Sequence, residues 1–418
     1  MVFPKEFTEY TSLLFGEERW QRYLASVDEP VPVSIRYNPF KVGMTEEMTG
    51  MFGEHTPVPW CRNAYWLGQR PLFTTDPFFH AGRYYVQEAG SMFLDEVMRQ
   101  HLTSPVAMLD LCAAPGGKST LVRAALPAGS LLFANEPDRR RANILLENIQ
   151  KQGHPDVVVT NNYPHHYART KLLFDVILAD VPCSGEGLFR RDPKAVAEWS
   201  VTNVQKCVTL QRQIVTDIWD RLRPGGLLVY STCTFNLHEN EENILYICEE
   251  LGADVVSVEI GDDWGITPSL HPQFDGPVYR FIPGTSRSEG LFMAVLRKHG
   301  DSCIALLKRE KMLSQCKGLN VMYDGVPREE QRGKAFVPSH AEALSLSLDR
   351  TKYAECEVSL DDALRYLHHE TLTLAADVPR GYVLLTYRNI PIGFVKNIGN
   401  RANNLYPKEW AIRMDVRP

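Results

Sequence analysis

Several features are scarce in this chain of 418 residues, and each scarcity closes a class of function. No run approaches the roughly 18 uninterrupted apolar residues of a membrane span, and the N-terminus, MVFPKEFTEYTSLLFGEERW, mixes charges into its only apolar patch. The nine cysteines are odd in number and thinly spread, so no secreted disulfide framework is implied and a reducing, cytoplasmic setting is expected. Neither CxxC nor HxxxH spacing occurs, and adjacent His165 and His166 cannot easily reach one ion, so no metal site is expected. Zinc deaminase chemistry lacks its PCxxC element. Positive charge is not in excess: 45 basic against 51 acidic residues give a net charge of −6, which argues against a chain that coats nucleic acid through charge alone. The imbalance is uneven. Residues 380–418 hold seven basic side chains (Arg380, Arg388, Lys396, Arg401, Lys408, Arg413, Arg417) against Glu409 and Asp415, a local basic surface with interleaved aromatics.

What is present is a globular composition, 44 % hydrophobic, long enough for two or three domains. Residues 1–100 mix helical signals with prolines and aromatics and read as a small α+β region, closing on an amphipathic helix within QEAGSMFLDEVMRQHL (87–102). From 101 to 298 short apolar runs alternate with helical segments. Strands are expected at 106–111, 131–135, 157–160, 174–180, 227–231, 253–260 and 290–297, and helices at 118–126, 138–152, 201–222 and 238–251, with RPGG (223–226) ending the third. That alternation is the sequence form of an α/β fold, a Rossmann-like, doubly wound parallel sheet. Residues 299–418 form a separate domain with helices at 302–316 and 359–368 and a β-rich end turning at RNIP and NIGN. A monomer is expected.

Two motif groups carry chemistry. Cys112-Ala113-Ala114-Pro115-Gly116-Gly117-Lys118-Ser119 turns from a strand into a helix, where small residues let a ligand approach and free N–H groups await an anion. The loop nearly matches GxxxxGK[ST], and the run ending in Asp180 can pass for a Walker B strand, so a phosphate-loop NTPase is one reading. Against it, Cys112 stands where that loop needs glycine. Glu136, 19 residues past Gly117, can accept hydrogen bonds from ribose hydroxyls, a pairing that suits S-adenosylmethionine with its carboxylate at the helix N-terminus. The second group is Asp180-Val181-Pro182-Cys183 after one strand and Ser231-Thr232-Cys233-Thr234 after the next. Ligands bind outside the carboxyl ends of strands in open α/β sheets, so Cys112, Asp180, Cys183 and Cys233 should open towards one crevice, and thiolate chemistry remains once metals are set aside.

CAAPGGKST, DVILADVPCSGEG and YSTCT, in that order and spacing, resemble the Nop/Sun family of RNA cytosine-C5 methyltransferases. The resemblance extends to Ser34-Ile35-Arg36-Tyr37-Asn38, YYVQEAGSM and YRFIPGTSRSEGLFMA, covering roughly residues 30–297. The C-terminal portion, ending in NNLYPKEW, resembles the PUA-like RNA-binding extension of the bacterial branch acting on small-subunit ribosomal RNA. The resemblance implies that Cys233 is a nucleophile and that Cys183 assists release of the covalent adduct. It supports Asp180 as the group that shares or supplies a proton at cytosine N3, and as a possible cofactor contact. Lys118 would orient either the cofactor carboxylate or Asp180, or else lie in solvent. Relatives usually carry an aspartate after the third strand, but this chain reads Thr160-Asn161-Asn162-Tyr163-Pro164, which passes adenine contacts to Asn162 or to backbone groups. Arg190 and Arg191 are expected near RNA phosphates. Arg36 either contacts RNA or braces the catalytic domain. A ribosome-assembly factor with a vestigial site is the remaining alternative.

Overall fold

Within the chain, the computed structural model describes residues 1–41, 52–301, 308–332 and 335–414. A helix, α1 (Lys5–Val27), broken at Gly16, precedes a four-stranded antiparallel sheet of β1 (Val33–Tyr37), β2 (His55–Pro57), β3 (Ala64–Leu67) and β4 (Tyr84–Val86) in the order β2-β3-β1-β4. The expected amphipathic helix follows as α2 (Leu94–His101), with Leu94, Val97 and Met98 buried. Phe7, Phe15, Trp20 and Tyr23 of α1 pack with Phe189, Trp199 and Phe235. That aromatic cluster backs the loops that carry the two candidate cysteines.

The central sheet holds β5 (Ala107–Asp110), β6 (Leu131–Asn135), β7 (Val157–Thr160), β8 (Phe174–Asp180) and β9 (Leu222–Thr232) as parallel neighbours in the order β9-β8-β5-β6-β7. Their runs are apolar without alternation because helices cover both faces: α3 (Gly117–Ala125), α4 (Arg139–Gln152), α5 (Val201–Ile218) and α6 (Glu241–Leu251). The strand order reverses between β5 and β8, so the loops after these two strands diverge and leave a crevice at their carboxyl ends. Two expectations are corrected here. The sheet is not wholly parallel: β10 (Ala253–Val256), β11 (Val278–Phe281) and β12 (Leu291–Lys298) follow one another without a helical crossover, and β12 runs antiparallel to β9, β10 and β11, so β10 and β11 keep the direction of β9 and β12 is the strand that is reversed. RPGG does not end α5, which stops at Ile218; it lies within the first residues of β9.

The chain beyond 299 first returns to this central body. The helix Arg309–Ser314 puts Met312 into the core, and β13 (Val321–Tyr323) pairs antiparallel with the outer edge of β7. Residues 302–307 of the expected helix lie outside the described residues. A hairpin of β14 (Glu330–Arg332) and β15 (Ala335–Val337) leads to a small module of β16 (Ala354–Glu357), α7 (Leu360–Leu367), β17 (Gly381–Tyr387), β18 (Ile390–Asn397) and β19 (Ala402–Asn404) in the order β16-β17-β18-β19. The β17–β18 turn at RNIP is of the primed type, with Arg388 and Asn389 at φ 48° and 63°. Arg380, Arg388, Lys396, Arg401, Lys408 and Arg413 are all exposed, while Asp415 and Arg417 lie outside the described residues.

Candidate active site

The loop after β5 is fixed from three sides. Ala113 N–H donates to Asn135 O (2.8 Å), Arg141 of α4 donates to Ala114 O (2.9 Å), and Asn148 donates to Pro115 O (2.8 Å). Gly116, at φ 111°, takes the positive-φ turn into α3 that other residues resist. No side chain caps the helix, so its first N–H groups are left for a ligand. Arg36 is buried and donates to Thr120 Oγ1 (2.8 Å) and to Gln87 Oε1 (3.2 Å). Of its two expected roles, it braces α3 beneath the loop.

Around this turn stand three carboxylates. Asp110, at the end of β5, is wholly buried; its Oδ2 accepts from Ser119 Oγ (2.6 Å) and its Oδ1 has no hydrogen-bond partner. Burial, helped by the nearby Asp180 charge, pushes its acid up to about 7 against the opposing hydrogen bond from Ser119. Glu136 ends β6 with Oε1 accepting from Asp138 N–H (3.0 Å), while buried Oε2 makes no hydrogen bond and faces Arg141 Nη1 at 3.5 Å. Its acid is also raised, chiefly by burial. Asp180 is held at both oxygens: Lys118 Nζ donates to Oδ2 (2.8 Å) and Ser231 Oγ to Oδ1 (2.7 Å). Burial works to lower the Lys118 ammonium, but the charge and hydrogen bond of Asp180 outweigh it and raise it. Lys118 therefore orients Asp180. Burial, reinforced by these carboxylates, raises the Cys112 thiol, which makes it an inert wall of the site.

Cys183 and Cys233 meet at the ends of β8 and β9, with sulfurs 3.1 Å apart and Cys233 N–H directed at Cys183 Sγ (3.3 Å). The hydrogen bond to Cys233 and then burial push the Cys183 thiol well up, so Cys183 keeps its proton and can donate it to its neighbour. Two buried carboxylates clamp the loops together. Glu186 accepts from Phe235 N–H (2.7 Å), Asn236 N–H (3.0 Å) and Trp199 Nε1 (3.0 Å), while Glu239 accepts from Ser184 N–H (3.0 Å), Gln211 Nε2 (2.7 Å) and Asn236 Nδ2 (2.8 Å). Gly187 N–H closes on Cys233 O (2.9 Å).

Sequence reasoning missed Asp110, Ser231, Arg141, Glu186 and Glu239. Asp110 stands just before one quoted motif and Ser231 inside another, so position at a strand end was the available signal; the clamp has none, because its partners are up to 55 residues apart. Two expectations are overturned. Asn162 turns to Asn320, accepting from its N–H (3.0 Å) and donating to its carbonyl (3.3 Å), so its amide fastens β13 rather than facing a ligand, while Tyr163 beside it is 58 % exposed. Arg190 is buried in an ion pair with Glu289 (3.1 Å), which also holds Arg191 at 3.4 Å; burial takes Arg190 away from phosphates.

The residues present fit S-adenosylmethionine. Two buried carboxylate oxygens without donors and an uncapped helix N-terminus complement a ligand that brings hydroxyl and ammonium donors and one carboxylate. A triphosphate fits poorly, because Asp110, Glu136 and Asp180 crowd the loop and Lys118 is engaged by Asp180.

Comparison with known proteins agrees. Residues 100–297 match the family model of 16S rRNA methyltransferase RsmB/F, residues 3–89 that of the N-terminal domain of 16S rRNA methyltransferase RsmF, and residues 353–412 that of the RsmF PUA domain. Among curated relatives, ribosomal RNA small subunit methyltransferase F of Escherichia coli O139:H28 is 30 % identical over 98 % of this chain and 96 % of its own. That of Erwinia tasmaniensis is 27 % identical over 98 % and 97 %. Among solved structures, a methyltransferase homolog protein from Pyrococcus horikoshii superposes with TM-score 0.61 at 26 % identity, covering 71 % of this chain and 95 % of that one. NSun6 from the same organism, solved with SFG, shares the fold with TM-score 0.61 at 21 % identity over 72 % and 99 %. With relatives matched end to end and a crevice that suits their methyl donor, the chain belongs to the ribosomal RNA small subunit methyltransferase F family and is an S-adenosylmethionine-dependent RNA methyltransferase.

Proposed function

We propose that the enzyme methylates C5 of a cytosine in 16S rRNA through a covalent adduct between Cys233 and C6 of the base. The observation that carries this reading is the pair of thiols 3.1 Å apart, at the edge of a crevice whose Asp180 is fixed by Lys118 and Ser231. Cytosine C5 is a poor nucleophile. Attack of the Cys233 thiolate forms the C6–S bond and moves electron density onto C5 and N3, which turns C5 into an enamine-like carbon. Asp180, backed by the Lys118 ammonium, shares or supplies the proton that N3 then takes. The Cys112–Lys118 loop would hold S-adenosylmethionine and Glu136 would accept from its ribose hydroxyls; when bound, the cofactor would supply an electrophilic methyl group and be left as the neutral thioether. After C5 has gained the methyl group, loss of the C5 proton restores the ring as the C6–S bond breaks. The departing sulfur leaves as a thiolate, and the Cys183 thiol is placed to donate a hydrogen bond to it. Both thiols must stay reduced for this chemistry, which supports a cytoplasmic setting. The base must be unstacked to reach Cys233, so an unpaired or flipped nucleotide is the substrate.

The test is to mix the Cys183→Ala variant with 16S rRNA and S-adenosylmethionine. A denaturant-stable protein–RNA adduct is expected, absent when Cys233 is also changed, and nuclease digestion of wild-type product should yield 5-methylcytidine. An adduct that survives without Cys233, or methylation at another base atom, contradicts the proposal.

A further inference from the structure

A cleft of about 940 Å³ separates α4 from the C-terminal module, well away from the thiol pair. We infer that it holds an unpaired stretch of the substrate RNA flanking the reactive nucleotide; the inference rests on RNA being the substrate, not on where the methyl group goes. One wall is a single face of α4, where Asn143, Ile144, Glu147 and Gln150 fall at helical spacing. Ile144 is 49 % exposed there, and the amides of Asn143 and Gln150 have no hydrogen-bond partner among the described residues. The facing wall brings Tyr323, Lys408 and half-buried Trp410.

An apolar step, free amides and aromatic rings match what unstacked bases present, namely π faces and hydrogen-bonding edges. A duplex fits poorly. The lining sets Glu330, Glu409 and Glu147, the last paired with Lys151, against Arg328 and Lys408, so it offers no excess positive charge to a phosphate-dense helix, whereas splayed bases can enter with their backbone outside, along exposed Arg139, Arg140 and Lys408. The cleft also adjoins the reaction centre through one element. α4 begins three residues after Glu136, and its Arg141 and Asn148 grip the cofactor loop at Ala114 and Pro115. A strand lying on α4 therefore leads to the crevice, and its binding adds substrate affinity without touching the reacting atoms.

The test uses the full chain with a 4-thiouridine-substituted 16S rRNA transcript, and with assembled small subunits in parallel. Ile144→Glu and the pair Asn143→Ala/Gln150→Ala change surface positions, so the fold is expected to survive, which a thermal melt verifies. Filter binding should show about tenfold weaker RNA affinity and KM should rise equally, with kcat at saturating RNA and S-adenosylmethionine affinity within twofold of wild type. Irradiation of wild type should crosslink RNA to the peptides of Tyr323 or Trp410. Unchanged affinity in both variants, or crosslinks only elsewhere, overturns the inference. Weakening on assembled subunits alone, with normal binding of the transcript, would put a ribosomal protein in the cleft and overturn it too. Because the readout is binding, methylation at another base atom would remove the C5 proposal and leave this one standing.

Discussion

Asp110 carries a cost that a partner group could relieve. Buried beside Asp180 and Glu136, with Lys118 as the nearby cation, its acid sits at about 7 instead of 3.8. The folded protein therefore holds a proton that the unfolded chain releases between about pH 4 and 7. Stability falls as pH rises through that window, and the full penalty remains above it. The Asp110→Asn variant of the ligand-free enzyme should gain melting temperature relative to wild type as pH goes from 5 to 8, measured by differential scanning calorimetry. A difference independent of pH would mean that Asp110 is already ionised when folded. The motif containing this residue was legible in the sequence, but its protonation was not. A carboxyl at a strand end is ordinary until the fold closes Ser119, Lys118 and two further acids around it.

Scarcely any element holds the reactive groups alone; they depend on two loops closing on each other. At Gly187 an added Cβ would stand 3.0 Å from Cys233 O and 2.9 Å from Gly290 O, both backbone atoms that cannot swing away. Gly187→Ala must spread the Cys183 and Cys233 loops by a few tenths of an ångström. Displacements approaching an ångström cost roughly 100-fold in rate, so single-turnover methylation should fall at least tenfold while calorimetric affinity for S-adenosylmethionine, proposed to bind at the other loop, stays unchanged. Normal turnover would show that the loops tolerate separation. Sequence periodicity located β8 and β9 and placed both cysteines at their ends, yet it could not supply the clamp of Glu186 and Glu239, whose partners come from distant loops. It also took Arg190 for a phosphate ligand, because a basic pair looks solvated until Glu289 arrives from a hundred residues further on.

The whole molecule is tied across its expected domain boundaries. His80 Nδ1 meets Tyr406 Oη at 3.2 Å, the Lys41 ammonium donates to Lys151 O (2.6 Å), and β13 extends the central sheet from beyond residue 299. Ending the chain after Lys298 would leave the β7 edge unpaired and remove buried Met312, worth about 2 kcal/mol by itself. Such a truncation should melt at least about 5 °C lower and aggregate on size-exclusion chromatography; an equally stable monomer would make the C-terminal region dispensable for folding.

By itself the sequence determined the α/β sheet core, the glycine turn proposed to hold the methyl donor and the nomination of Asp180, Cys183 and Cys233. These are local properties, since apolar runs, glycine turns and strand ends are written in consecutive residues. Only the tertiary structure decided that β12 runs against its neighbours, that Arg36 braces and Lys118 orients, that Asn162 serves β13, and that α4 borders a cleft. Each of those outcomes is a contact between distant segments, and local periodicity carries no information about which distant partner a buried polar group will find.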